Sequence, residues 1–193
     1  MWSSHRVARA DAFLRQAESD LRTAQALSVR PLPLDPRDLP AQVLAKLAQA
    51  VEKSLKGYLF LFKNEVELTH RIDKFLRVLL DRNLDFADPA HHAVLARLFS
   101  IEAKEVIRHL VALTPGTQGR GNVPNTEYPW TDSEGVVAPF GSSVLARVPL
   151  AAYQKQAGLI VWGLRKLWSE YSRRPVPVPK TLPAPAYAFV PAP

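Results

Sequence analysis

Residues 48–73 read AQAVEKSLKGYLFLFKNEVELTHRID. Val51, Leu55, Tyr58, Leu59 and Phe62 recur at intervals of three and four, which is the pattern of an amphipathic helix. Leu44, Leu47 and Ala48 carry the same face upstream, so the helix is predicted over about 41–63. Lys46, Gln49, Lys53 and Lys56 fall opposite that face. Towards the end, GYLFLF is apolar all round, which predicts burial on more than one side. Thr69 is placed to cap a further helix over about 70–82, with Ile72, Phe75, Leu76, Leu79 and Leu80 inward.

Upstream, Leu14, Ala17, Leu21 and Ala24 predict a first helix over 7–27. Residues 28–40, SVRPLPLDPRDLP, separate it from the second; four prolines there forbid a continuous helix. Asp88-Pro89 is a start signal for a fourth helix reaching about Leu113, with Leu95, Phe99, Val106, Leu110 and Leu113 on one face. Glu102 falls on the inner side of that helix. It is either buried against Lys53, His70 or Lys104, or exposed by a slight rotation of the helix. Residues 114–148 hold five of the eight glycines and four prolines and read as a long irregular loop. A fifth helix is predicted from Pro149 to Ser172, its inner stripe running Leu150, Tyr153, Ala157, Ile160, Leu164, Leu167, Trp168 and Tyr171. No strand is predicted. The expected fold is an all-α, up-and-down bundle of four to five helices over residues 1–174. Residues 175–193, seven prolines in nineteen, form an extended Pro-rich tail.

The composition narrows the function classes. A chain of 193 residues, 47% hydrophobic, holds one core of ordinary size. It has no cysteine, which excludes disulfides, thiol catalysis and thiolate metal sites. No apolar run is long enough to span a membrane, and Arg6, Arg9 and Asp11 interrupt any signal-peptide core. The expected location is the cytoplasm. Lysine and arginine number 25 against 18 acids, a net charge of +7 that favours polyanionic or acidic partners.

Familiar catalytic motifs are missing. GTQGRG (116–121) places Arg120 beside glycine N–H groups but lacks the P-loop spacing. His91 and His92 sit about 100° apart on a helix and cannot grip one metal from one face. No metal site is expected. The fifth helix is more informative. Lys155, Lys166 and Arg173 superimpose opposite its apolar stripe, flanked by Leu159 and Trp162. Such a line suits a protein partner, a solvated face or nucleic acid; an outward Trp and Leu among charges favour a surface that is covered.

Four segments together resemble the HEPN domain (higher eukaryotes and prokaryotes nucleotide-binding). ARADAFLRQAESDLRTAQAL (8–27) is similar to the family's opening helix, with its A-E-x-D-L element. LAQAVEKSLKGYLFLF (47–62) resembles the Q-A-x-E-K-x-L-K helix, ELTHRIDKFLRVLL (67–80) the T-H-x-L helix, and TEYPWTD (126–132) the R-Y-P-D element. The resemblance runs over about 8–172 in the right order. It implies a four- to five-helix bundle, a homodimer, and a nucleotidyltransferase-type protein partner in a toxin–antitoxin or defence module. A nucleotide is the ligand it implies, with RNA as a further partner; no other cofactor is expected.

Other members of that family are ribonucleases with an R-x(4–6)-H motif. No histidine here has an arginine five to seven places before it, and Glu127 replaces the R-Y-P-D arginine. Lys104 stands five before His109, and Arg108 immediately precedes it. The expectation is therefore a non-catalytic or partner-regulated HEPN-like protein. The nucleotide or RNA candidates are Lys53, Lys56, His70, Arg120 and Tyr128, and the partner face is Lys155, Trp162, Lys166 and Arg173. The alternatives are a metal-independent ribonuclease using His70, Lys104, Arg108 or His109, and a structural adaptor whose tail docks a partner.

Overall fold

The structure is a computed structural model that describes residues 3–29, 38–62, 72–80, 89–113, 126, 130–132, 135–139 and 142–173. Its elements, in order, are α1 (Ser4–Val29), α2 (Leu39–Phe62), α3 (Ile72–Leu80), α4 (Pro89–Leu98), α5 (Ile101–Leu113), β1 (Trp130–Asp132), β2 (Gly135–Val137), α6 (Ser143–Ala146) and α7 (Leu150–Tyr171). The described residues are mostly helical and form a helical bundle. His70, Thr69, Arg120, Tyr128, the side chains of His91 and His92, and the tail 175–193 lie outside what is described.

The bundle is built round α2. Ala10, Leu14, Ala17, Leu21 and Ala24 give α1 a narrow stripe of mostly small residues, all fully buried. Small side chains let two backbones approach, and Gly57 on α2 completes the fit. A Cβ there would sit 3.0 Å from the Ala10 carbonyl oxygen and 3.0 Å from the Leu14 Cγ. Ser3 opens α1, its Oγ accepting the Arg6 N–H at 3.3 Å. Pro40 lies in the first turn of α2, where no backbone N–H is required. Besides α1, helix α2 packs on α3, α5, α6 and α7. Val43, Leu44, Leu47, Ala50, Leu55, Tyr58, Phe60 and Leu61 are therefore buried on several sides of it.

α7 closes the other side of α1 and α2. Tyr153, Ala157, Ile160, Leu164, Leu167 and Tyr171 are buried, as their spacing predicts. Polar ties set the α1–α7 register. Gln154 Nε2 donates to the Ala24 carbonyl at 3.0 Å and to Ser28 Oγ at 2.6 Å. Arg165 bridges Asp11 at 2.5 Å and Glu18 at 3.2 Å, and its guanidinium lies 4.5 Å over the Trp168 ring.

The structure departs from the sequence expectations in two places. The single helix expected over 89–113 is two, α4 and α5, broken at Phe99-Ser100. Ser100 starts the second, its Oγ accepting the Ala103 N–H at 3.3 Å. Glu102 then falls in the first turn of α5 and is exposed. Hydrogen bonds from the Ser100 side chain and from its own backbone hold its carboxyl below the usual range. The second departure is a short antiparallel pair, with Trp130 opposite Val137, Thr131 opposite Val136 and Asp132 opposite Gly135. The pair and the short helix α6 both interrupt what reads as continuous loop over 114–148. Thr126 fastens the same region to the bundle, its N–H and Oγ1 both donating to the Leu113 carbonyl at the end of α5.

Candidate functional site

Three groups of residues singled out from the sequence can be followed into the fold. The first is the lysine set of α2. Lys53 Nζ donates to Asp20 Oδ2 at 2.5 Å, and Lys46 Nζ to Asp20 Oδ1 at 3.2 Å. Asp20 is itself buried, so two ammonium groups of α2 hold one carboxylate of α1. Lys56 is only 5% exposed and donates to Glu52 Oε1 at 2.5 Å, one turn back on α2. Its Nζ also lies 5.2 Å from the centre of the Phe75 ring. The helical wheel sets Lys56 opposite the apolar face, but α3 covers that side of α2, and the lysine is interior. A phosphate could reach Lys56 only by displacing a buried carboxylate.

The second group lies on α5. Arg108 donates to Glu105 Oε2 from Nη2 at 2.6 Å and from Nε at 3.1 Å. His109 is exposed, and its Nδ1 is hydrogen-bonded to the Tyr153 hydroxyl of α7. Burial pushes the Tyr153 hydroxyl above its usual pKa; Glu105 adds to the effect and Arg108 opposes it. Tyr153 therefore stays a neutral phenol that orients the imidazole. Lys104 is exposed on the same side of α5 as Arg108, four residues on, whereas five residues rotate His109 about 140° away from Lys104. The fold thus joins His109 to Tyr153 and does not bring Lys104 to it.

The third group is the outer face of α7. Lys155, Lys166 and Arg173 are exposed, and none pairs with a carboxylate among the described residues. Between the lysines, Leu159 is 53% and Trp162 44% exposed. Arg22 of α1 reaches across, its guanidinium 5.8 Å from the Trp162 ring centre, while it pairs with Glu18 at 3.6 Å. One turn before Trp162, a Cβ built on Gly158 would meet no heavy atom within 4 Å. Gly158 itself is buried.

Sequence reasoning missed the Tyr153 and Arg22 partners, because neither pairing is local. Among the described residues no cluster of three or more histidines and acids could hold a metal ion, and no helix is long and apolar enough to cross a membrane. No family model, no characterised protein and no solved structure matches the chain.

Proposed function

We propose that the chain is a HEPN-like helical module that acts by binding a protein partner rather than by catalysis, with the outer face of α7 as its contact surface. The observation that carries this reading is Leu159 and Trp162, half-exposed side by side among three cations that pair with no carboxylate among the described residues. Burying such side chains is worth about 1.5–3 kcal/mol each, and leaving them half in water forgoes part of that. The fold leaves them half in water, while it binds the α2 lysines into its own ion pairs. Within the HEPN resemblance the partner is a nucleotidyltransferase-type protein, and the module belongs to a toxin–antitoxin or defence pair. The test is sedimentation of the protein alone and mixed with a nucleotidyltransferase-type protein encoded beside it. A mass that never exceeds the monomer sinks the reading.

A second reading rests on His109. In the tautomer whose Nδ1–H donates to the phenol oxygen, the exposed imidazole keeps Nε2 as a proton acceptor, so an altered ribonuclease site would centre there. Incubation with labelled RNA decides it: cleavage lost in His109→Ala supports this site, and cleavage that survives excludes it.

A further inference from the structure

We infer that the outer face of α7 receives an acidic amphipathic helix from another protein. This rests on the proposal that the face is a contact surface, and it adds the chemistry of what covers it. Lys155, Leu159, Trp162, Lys166, Ser169 and Arg173 follow one another at intervals of four, three, four, three and four. That alternation is the seam by which one helix packs along another. α7 thus has two seams: the apolar inner one used by the bundle, and this outer one, uncovered. Only a helix presents side chains at the matching intervals over a length of about 27 Å.

Charge selects the partner. The centre of the seam is apolar, and its ends are Lys155 on one side and Lys166 and Arg173 on the other. Arg22 adds a fourth cation beside Trp162, and Glu170 is an exposed acid near the margin. A helix bearing leucines centrally and carboxylates a turn beyond them at each end complements this order. A second copy does not. In an antiparallel pair centred on Trp162, Lys166 of each copy falls within a turn of Lys155 of the other, and a parallel pair sets each cation against itself. The chain's net charge of +7 also opposes self-association. Nucleic acid would use the cations and stack on Trp162, but it leaves Leu159 without a role.

The test uses the full chain and two labelled helical peptides of about three heptads. Both carry the same leucine seam; one is flanked by glutamates and the other by lysines. Fluorescence anisotropy is expected to show the glutamate peptide binding about tenfold tighter or more, with the preference shrinking in salt. Trp162→Ala is expected to weaken it by about tenfold or more, as for a central interface aromatic. Lys155→Glu/Lys166→Glu, at two exposed positions, is expected to reverse the preference. Equal binding of the two peptides, binding of neither, or indifference to these variants overturns the inference. Sedimentation and an oligouridylate RNA separate the failures. Dimerisation lost in Trp162→Ala keeps the face as a contact surface but makes its occupant a second copy. RNA binding lost in the same variants, with no peptide bound, overturns the protein-partner reading as well. If peptides, self-association and RNA all ignore Trp162→Ala, both proposals fall.

Discussion

The lysines of α2 and the lysines of α7 have the same chemistry and opposite surroundings. Lys46, Lys53 and Lys56 each reach a carboxylate inside the bundle, two of them at 2.5 Å. Lys155 and Lys166 reach none among the described residues and lie beside half-exposed Leu159 and Trp162. The difference shows that a basic stretch in a sequence does not locate a basic site. Charge that is paired and desolvated holds the fold; charge left in water is available to a partner.

The largest effect is expected from Lys56→Met. It keeps the apolar stem but removes the ammonium from Glu52, which is 6% exposed. A loss of about 3 kcal/mol is expected in urea unfolding. A loss below about 0.5 kcal/mol, the range of surface sites, would place Lys56 with the α7 lysines instead. Next comes Gly57→Ala, whose Cβ meets the Ala10 carbonyl and Leu14 at the α1–α2 crossing. It should cost about 1–3 kcal/mol by forcing the helices apart. Gly158→Ala is expected to act in the opposite direction. With open space around its Cβ, alanine should stabilise α7 by up to about 1 kcal/mol in a thermal melt.

The smallest effect expected is one of pH. Partial burial disfavours the Asp11 carboxylate, but hydrogen bonds and charge from Arg165 and Arg15 outweigh it and hold the pKa below its ordinary 3.8. A lowered folded pKa contributes stability above the unfolded value, and that contribution fades as pH falls through the folded one. Acid unfolding followed by circular dichroism should therefore show a small loss beginning below about pH 4. Asp11→Asn should remove that part of the pH dependence.

Much of this was legible in the residues. α2 and α7 each hold their apolar spacing for more than 20 residues, and the outward Trp162 and Leu159 follow from the same wheel. The break between α4 and α5 was hidden because Leu95, Phe99, Ala103, Val106 and Leu110 stay in phase across it. Its one local signal is Ser100 ahead of Ile101-Glu102, an N-cap. The burial of Lys56 was hidden because a wheel allows one buried face, and α2 is packed on several. His109 and Tyr153 stand 44 positions apart, so only the packing of α5 on α7 brings them together. The HEPN resemblance speaks to the order of the helices and not to which of their charges remain free.

The Asp11–Arg165 bridge joins residues 154 positions apart. On the ribosome, α1 and α2 emerge as neighbours and can pair at once, but the helix that covers their remaining apolar side comes roughly 100 residues later. At about 5–20 residues per second, the hairpin waits some 5–20 s with that side bare. During this interval it is a target for chaperones and for other nascent chains. Trp162 of the outer seam comes to lie beside Arg22 only once α7 has docked on α1. A partner that needs both residues would therefore bind finished molecules and pass over those still being made.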